Sequence, residues 1–485
     1  MPYHSHNRGS GGRGGRGSGG RGGNYGRGGG GGRYGGRGGG KDSQYEAIMG
    51  RPAINICTWH LSGTCTKGTK CNNSKSLTII SKVDNSNKDD TTKNNANNYN
   101  NWNNQNKFHP TSDIALWLEK PDSPLKIFTS SHDGHWRLFN TLNGQFNKEF
   151  EHNMGGAVNV IIVAHNFLFC GFEAISKKIP NQKVGMVFAW NLTNPGDAPM
   201  ELHMGLGGNE AHRMNMTPYA HSRGVTALIT HGDVCFTGGK DHIIRIWKFE
   251  QTMNGGKGGF QLTKECCGHV GEITGFVFLN GMLWSSSTDG TIRLWESASN
   301  WECKHLIVGP PDGNATTTGN TAQAQPPNTP NGTSGQAVGH SAAVTSLLHL
   351  QNDQLGGGGS SYILSSSLDG TIKIWDSANG NCLSTTSHGL GIVSMALSTD
   401  NNGKPILLCG TENGSIVIRG ILQTAKTAPM ALLCYISSSP HYGHNGAVYS
   451  IVTGPPNTNY ANTFYTAGED GKMLIWQITG DLGMS

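Results

Sequence analysis

Four copies of one short unit constrain the fold of this chain more than any other sequence feature. In each copy an Asp is followed six residues later by a Trp, with a short apolar stretch on either side of the Asp. The copies are residues 237–247, 285–295, 365–375 and 466–476. Gly follows the Asp in three of them, and Asp-Gly between apolar stretches is a strong signal for a β-hairpin. We therefore predict pairs of strands joined by tight turns.

Three weaker units keep the same spacing and extend the repeat. They are residues 133–139, with Phe in place of Trp, residues 185–190, with a lengthened turn, and residues 413–419, with Asn for Asp and Arg for Trp. Most intervals between units match the roughly 40–50 residues of a propeller blade. We predict seven structural repeats in residues 107–480, with an insertion loop at residues 309–336.

Each strong unit is preceded by a His that starts an apolar strand, with weaker counterparts at His109 and His388. Together these features resemble WD40 repeats. The resemblance implies an all-β, seven-bladed propeller of four-stranded sheets. Which segment completes the ring stays open between the stretch before His109, residues 78–83 and the C-terminus after Trp476.

The resemblance to WD40 repeats also implies that the His, a strand hydroxyl, the Asp and the Trp of each blade form a buried hydrogen-bonded set. Buried carboxylates require such partners. The candidate sets are His221, Thr237, Asp241 and Trp247; His269, Ser285, Asp289 and Trp295; His340, Ser365, Asp369 and Trp375; and His444, Thr466, Asp470 and Trp476.

The same residue types would also suit a hydrolase triad. However, the set recurs in several blades, Trp has no role in a triad, and the sequence contains no G-x-S-x-G nucleophile motif. We interpret these residues as structural, and we predict a protein that is not an enzyme and has no small-molecule substrate.

Charge is concentrated at the N-terminus of the chain. The net charge is +5, yet residues 1–41 alone carry eight basic residues and no acidic one, so the remainder is slightly acidic. Arg13, Arg21, Arg27 and Arg37 each open an Arg-Gly-Gly triplet, and Tyr25 and Tyr34 are interleaved. Arginine contacts phosphate, and the side chains of both arginine and tyrosine stack on nucleic-acid bases. We predict a disordered RGG tail that binds RNA in a salt-dependent manner, with a merely solubilising tail as the alternative.

The cysteine pattern indicates an intracellular protein. The chain has 11 cysteines, an odd number, and most stand alone in apolar stretches. This is typical of reduced thiols. The first forty residues hold no apolar segment of a secretory signal, and no stretch is long enough to span a bilayer. We expect a location in the nucleus rather than the cytoplasm, and no membrane association.

Cys57, Cys65 and Cys71 have the spacing C-x7-C-x5-C, which resembles the first three ligands of a CCCH zinc finger. The resemblance implies zinc as a cofactor, with these cysteines as ligands and Trp59 as a candidate to stack on RNA. Lys75 stands where the family has its fourth ligand, a His. His60 is a possible substitute, although it lies inside the seven-residue loop. The combination of finger and repeats resembles plant-type CCCH zinc finger proteins with WD40 repeats.

Four regions are therefore predicted: a disordered RGG tail (1–41), a zinc-finger-like segment (51–77), an Asn-rich linker (84–106) and the propeller (107–480). The sequence favours an RNA-associated adaptor that binds RNA through the tail, aided by the finger, and protein partners on the propeller. The alternative is a purely protein-binding scaffold, such as a substrate receptor of a larger complex, with a non-specific tail.

Overall fold

The computed structural model describes residues 52, 54–62, 64–67, 71, 75–84, 109–142, 145–176, 181–204, 219–251, 258–309, 339–351, 361–421 and 429–482. The predictions for the RGG tail, for nearly all of the Asn-rich linker and for the insertion loop fall outside these residues. No helix in the described ranges is long and apolar enough to cross a membrane.

Strands dominate the described residues, which also contain a one-turn helix, α1 (Thr58–Leu61), and a 3-10 turn (Ser297–Ser299). The strands in chain order are β1 (Leu77–Asp84), β2 (Thr111–Trp117), β3 (Lys126–Ser131), β4 (His135–Leu142), β5 (Gln145–Asn153), β6 (Gly156–Ala164), β7 (Phe167–Ile175), β8 (Lys183–Asn191), β9 (Met200–Leu202), β10 (Val225–His231), β11 (Val234–Gly239), β12 (Ile244–Glu250), β13 (Gly259–Cys266), β14 (Ile273–Leu279), β15 (Met282–Ser287), β16 (Ile292–Glu296), β17 (Glu302–Ile307), β18 (Val344–Leu350), β19 (Tyr362–Ser367), β20 (Thr371–Asp376), β21 (Cys382–Ser387), β22 (Ile392–Thr399), β23 (Pro405–Thr411), β24 (Ile416–Gly420), β25 (Ala431–Ile436), β26 (Val448–Thr453), β27 (Thr463–Gly468) and β28 (Lys472–Ile478).

The strands form seven antiparallel sheets of four strands, and the predicted all-β, seven-bladed propeller is confirmed. Blades 1 to 6 are β2–β5, β6–β9, β10–β13, β14–β17, β18–β21 and β22–β25, each running outward in chain order. The Asp-Gly pairs make the turns between the second and third strands. In blade 4, Gly290 has a φ of +78°, and Asp289 Oδ1 accepts a hydrogen bond of 2.8 Å from the backbone N of Thr291. In blade 3, His242 takes the same left-handed conformation, with a φ of +66°.

Blade 7 combines the two ends of the described chain. β26, β27 and β28 form its inner strands, and β1 pairs antiparallel with β28 as the outermost strand, with Leu77 opposite Ile478. Of the three segments considered for closing the ring, residues 78–83 therefore do so. The propeller thus begins at residue 77 rather than 107, because a strand from the N-terminal side is needed to complete the last sheet.

The core of the propeller is a ring of seven hydrophobic clusters rather than one central mass. Each cluster lies between two neighbouring blades. Between blades 7 and 1, for example, Ile127 and Phe139 pack with Met473 and Ile475. Because every blade buries both of its faces against neighbours, completion of the ring stabilises all seven sheets together.

The inner strands are linked around the ring by polar side chains. A hydroxyl or amide on one inner strand donates to a backbone carbonyl on the next, as Thr226 Oγ1 does to Ile273 (2.6 Å) and Thr274 Oγ1 to Val344 (2.7 Å). The side chains that make this link are Ser112, Asn159, Thr226, Thr274, Thr345 and Ser394.

The last link of this ring ends on a carboxyl group. Ser450 Oγ of blade 7 donates to Asp113 Oδ1 of blade 1 at 2.8 Å, and Asp113 Oδ2 accepts from the backbone N of Ile161 in blade 2 at 3.0 Å. Asp113 thus joins three consecutive blades. Burial raises its pKa to about 6, even though these hydrogen bonds favour the ionised form.

Candidate functional site

The four predicted polar sets come together in blades 3, 4, 5 and 7 with nearly identical geometry. In every set the His Nδ1 lies 2.9–3.1 Å from the Asp carboxylate, and the His Nε2 lies 2.7–2.8 Å from the strand hydroxyl. The Trp Nε1 donates to the same hydroxyl at 2.7–2.9 Å. The four histidines and four hydroxyls are buried. Each chain of bonds ties the turn of a blade to two of its strands.

The direction of these bonds is fixed by the chemistry of the groups. The indole N–H can only donate, so in each set the hydroxyl accepts from it and donates to the His Nε2. In blades 4, 5 and 7 the His Nδ1–H then donates to the Asp. In blade 3 the guanidinium of Arg245 lies 2.8 Å from His221 Nδ1 and also donates to Asp241 Oδ2 at 2.9 Å.

Burial lowers the pKa of His269, although Asp289 opposes that effect. Burial alone would raise the pKa of Asp289, but the hydrogen bonds from His269, Thr291 and the backbone N of Val270 hold it well below its usual range. Both shifts favour a neutral His269 and an ionised Asp289 in blade 4, and the hydrogen bonds of each set stay within its own blade.

Blades 1, 2 and 6 lack this network because the residue types change. Cys170 and Cys409 stand at the hydroxyl position of blades 2 and 6. In blade 1, His109 is exposed, and the side chain of Phe139 has no N–H group to donate. The buried Thr129 Oγ1 has no hydrogen-bond partner among the described residues. The units that match the repeat weakly in sequence are therefore the ones that lack the hydrogen-bond network.

Blade 6 contains a buried cation in place of the Trp. The guanidinium of Arg419 donates to His388 Nδ1 (3.3 Å) and to the carbonyls of Met430 (2.9 Å) and Ser387 (3.0 Å). Burial lowers the pKa of Arg419, and burial together with the charge of Arg419 lowers the pKa of His388 well below its usual range. His388 is thus a buried partner of Arg419 rather than a member of a His-hydroxyl-Asp-Trp set.

The turns that precede the third strands lie at one end of the ring, which we call the turn face. In six blades the residue before the turn Asp or Asn donates its backbone N–H to the segment that leads into the inner strand of the same blade. These residues are His132, Lys240, Thr288, Leu368, Glu412 and Glu469. The turns and the segments before the inner strands therefore share one surface.

The turn face is chemically uneven. Blades 4 and 5 expose two apolar side chains on it, Val270 (78% exposed) and Leu368 (43% exposed). Glu412 of blade 6 and Glu469 of blade 7 are exposed beside them in the ring order, whereas blades 1 and 3 present His132 and Lys240. The part of the turn face formed by blades 4 to 7 thus combines two exposed apolar side chains with two acidic ones.

The cysteine segment lies against the outer side of blades 6 and 7. The backbone N of Ile54 donates to the carbonyl of Leu433 in β25 at 2.9 Å. Ile56 and Leu61 are buried in the same hydrophobic cluster as Leu77 and Trp476. The segment predicted as a separate unit therefore contributes to the core of the propeller.

Cys57, Cys65 and Cys71 meet in space. Their sulfur atoms lie within 4.8 Å of one another, and the Sγ atoms of Cys57 and Cys71 are 3.4 Å apart. Two thiolates on a tetrahedral zinc ion stand about 3.8 Å apart, given zinc–sulfur bonds of about 2.3 Å. The three cysteines therefore fit a zinc ion, and a small shift of the side chains would accommodate the bonds.

The cluster is also electrostatically suited to a cation. Burial raises the pKa of Cys57, and the hydrogen-bonding contact with the Cys71 thiol raises it further. A bound divalent cation reverses this preference. The backbone N–H of His60 donates to Cys57 Sγ at 3.3 Å, a contact that favours the thiolate.

The remaining predicted site residues divide into two groups. Trp59 lies in α1, but its side chain is not among those described. The tail residues Arg13, Tyr25 and their counterparts also lie outside the described residues. The RNA contacts predicted for Trp59 and for the tail stay predictions.

Two structural features were not anticipated. The ring of side-chain links between inner strands was missed, although a hydroxyl or Asn after a β-branched residue recurs in the repeats and could have indicated it. The buried Arg137 was also missed. It pairs with Asp133 (2.6 Å) and Glu151 (2.8 Å) in blade 1, across strands whose register the sequence does not reveal.

The fold is a seven-bladed β-propeller, and four of its blades carry the polar set expected of WD40 repeats. The family model described as "WD domain, G-beta repeat" matches residues 213–248, 260–296, 333–376 and 436–477. The matches fall on blades 3, 4, 5 and 7, the four that carry a complete polar set, so the predicted WD40 repeats are confirmed. No family model for a CCCH finger matches the cysteine segment.

Curated relatives are distant and longer than the matched region. The chain is 23% identical over 251 residues to "Ribosome biogenesis protein YTM1" of Meyerozyma guilliermondii, which covers 51% of each protein. It is 23% identical over 288 residues to "Zinc finger CCCH domain-containing protein 17" of Oryza sativa subsp. japonica, covering 53% of this chain and 54% of that protein. The chain spans about half the length of the curated relatives it matches.

Among solved structures, the WD40 β-propeller domain of Doa1 aligns with a TM-score of 0.49 and 17% identity. The alignment covers 78% of this chain and 95% of that one.

Proposed function

We propose that this protein is a non-enzymatic scaffold that docks protein partners on the turn face of its propeller and holds RNA through its RGG tail, acting in the nucleus. The distant likeness to proteins named for ribosome biogenesis is compatible with a ribonucleoprotein setting. A purely protein-binding scaffold with a non-specific tail is the alternative, and the RNA measurement below separates the two.

The observation that carries the docking proposal is the pair of exposed apolar side chains on the turn face. Val270 and Leu368 project from adjacent blades, and exposed apolar groups rimmed by charge are typical of interaction sites. Glu412 and Glu469 follow in the next two blades. A partner segment that combines an apolar side chain with Lys or Arg would be complementary in both respects.

We propose no catalytic role for the four polar sets, because their His, Asp and hydroxyl groups are used in hydrogen bonds within each blade. The same set of bonds recurs in four blades, and in each the His has a hydrogen-bond partner on both ring nitrogens. A general base needs a free lone pair directed toward a substrate.

Selection from a random peptide library on the full chain tests the docking surface. We expect enrichment of peptides with a basic and an apolar residue, and we expect Leu368→Ala to weaken their binding about tenfold, equivalent to about 1.4 kcal/mol. Leu383→Ala is the matched control, because Leu383 is a similarly exposed leucine (38%) on the outermost strand of the same blade. Selected peptides that bind equally well to both variants would place the docking surface elsewhere.

Comparison of the full chain with a version lacking residues 1–42 tests RNA binding. This truncation leaves Ile54, Ile56 and the closing strand in place, whereas removal of residues up to 77 would damage the core. If all eight basic residues contact phosphate, the slope of log affinity for single-stranded RNA against log salt should become shallower by about 6 in the truncated protein. Equal affinity and equal slope for both proteins would eliminate the adaptor and leave the protein-binding scaffold.

We also propose that Cys57, Cys65 and Cys71 bind a zinc ion. Their convergence within 4.8 Å and the N–H contact to Cys57 support this proposal. A bound zinc would serve a structural role, because the segment that would hold it packs into the core between blades 6 and 7. One zinc per chain, lost on Cys65→Ser, is the expected stoichiometry.

A further inference from the structure

We propose that His60 is the fourth ligand of the zinc site and that Thr78, on the strand that closes the propeller, positions its imidazole ring. This inference rests on the proposed binding of zinc by the three cysteines. His60 would replace the ligand that Lys75 cannot supply, because an ammonium group has no lone pair to offer a metal.

The backbone places His60 directly beside the first cysteine. Cys57 is the N-cap of α1, and its side chain accepts from the backbone N–H of His60, three residues later, at 3.3 Å. The same N–H also lies 3.0 Å from the carbonyl oxygen of Cys57. A histidine inside the loop between Cys57 and Cys65 can therefore approach the sulfur atoms without straining that loop, since the helical turn already folds it back.

The second observation is the contact between His60 and β1. The Nε2 atom of His60 lies 3.1 Å from Thr78 Oγ1. A histidine that binds zinc through one ring nitrogen usually donates its other N–H to an oxygen acceptor, which fixes the tautomer and the ring plane. With Nε2–H donated to Thr78, the lone pair of Nδ1 is left for the metal.

The ring must still move to bind. Only the three cysteines have ligand atoms within 4.8 Å of one another in the described residues around α1, so the imidazole is outside the sulfur cluster in this arrangement. His60 is half-buried rather than enclosed, and a shift that turns the ring about its contact with Thr78 would bring Nδ1 toward the sulfur atoms while Nε2 keeps that contact. Zinc binding would draw the ring in against the cluster.

The arrangement would couple the metal to the closure of the propeller. Thr78 pairs with Gln477 of β28 in the last sheet. Just before β1, Ser76 donates to the carbonyl of Asp481 at 2.7 Å, and Ile56 and Leu61 are buried in the cluster that contains Leu77. A metal centre that includes His60 and its partner Thr78 would therefore hold β1 to the finger as well as to β28.

The test uses the zinc-loaded full chain and three readouts. X-ray absorption at the zinc edge needs no variant and should show three sulfur ligands and one imidazole nitrogen. Substitution by Co²⁺ should give a tetrahedral visible spectrum that changes in His60→Ala. Competition with a chelator should show at least tenfold weaker zinc binding in His60→Ala, and a ten- to hundredfold loss in Thr78→Val.

His109→Ala is the matched control, because His109 is an exposed histidine outside the finger, and it should leave all three readouts unchanged. Three sulfurs with no imidazole in the wild type, together with unchanged affinity in His60→Ala, would overturn the assignment of His60 while the three-cysteine site stands. A wild-type chain that binds no zinc would overturn both the site and this assignment. Circular dichroism of each variant separates lost ligation from lost folding.

Discussion

Replacement of Leu77 by alanine should lower the free energy of unfolding by about 3 kcal/mol, in the range measured for fully buried leucines. Leu77 begins β1 and is 0% exposed, packed in the same cluster as Trp476, Ile478 and Leu482. The smaller alanine side chain would leave a cavity where β1 joins the sheet of blade 7. Equilibrium urea unfolding, followed by Trp fluorescence, measures the loss.

Ile80→Ala is the control within the same strand, because Ile80 is 43% exposed. Its replacement should cost less than about 1 kcal/mol, since little apolar surface is buried there. If both variants lost the same stability, β1 would not be contributing a buried edge to blade 7. If neither lost any, the ring would not be closed by this strand.

Replacement of Asp289 by alanine should destabilise the propeller by about 3 kcal/mol at neutral pH, because it removes the acceptor of several buried or turn donors. Asp289 Oδ2 lies 3.0 Å from His269 Nδ1 and accepts from the backbone N of Val270 at 2.9 Å. Asp376→Ala is the matched control, as Asp376 caps only a surface turn through Ala378 and Asn379. It should cost about 1 kcal/mol or less.

The difference in the free energy of unfolding between wild type and Asp289→Ala should depend on pH in one direction. The pKa of Asp289 is depressed in the folded state from an unfolded value of 3.8, despite the opposing effect of burial. Its stabilising contribution is therefore complete above that unfolded value and is lost as the pH falls through the depressed folded value. The stability gap between wild type and Asp289→Ala should narrow below about pH 4. A gap that stays constant into strong acid would mean that the carboxylate is not paired as described.

The repeating part of the fold could be predicted from sequence because the same physical requirement recurs. A tight Asp-Gly turn, a buried Trp six residues later and a hydroxyl four residues before the Asp are local features with fixed spacing. Blades 4 and 5 show this most clearly, with the same bonds around Asp289 and Asp369. Local patterns of this kind specify a blade without knowledge of its neighbours.

The contacts between blades could not be predicted in the same way. Asp113 joins blades 7, 1 and 2, and its partners Ile161 and Ser450 are far from it in sequence. The docking of Ile56 and Leu61 onto blades 6 and 7 likewise depends on where the closed ring presents an apolar surface. The sequence offered three candidates for the closing strand, and pairing with β28 decides among them only in three dimensions.

The pairing of β1 with β28 has a consequence for how the protein is made. The ribosome produces the closing strand first and its partner last, with Asp84 paired to Lys472. At a synthesis rate of roughly 5–20 residues per second, β28 is completed about 20–80 seconds after β1. Through that interval the apolar side chains of Leu77 and its neighbours have no sheet to join. Nascent chains halted before residue 472 should therefore carry an exposed hydrophobic N-terminal segment, which chaperones would bind until synthesis is complete.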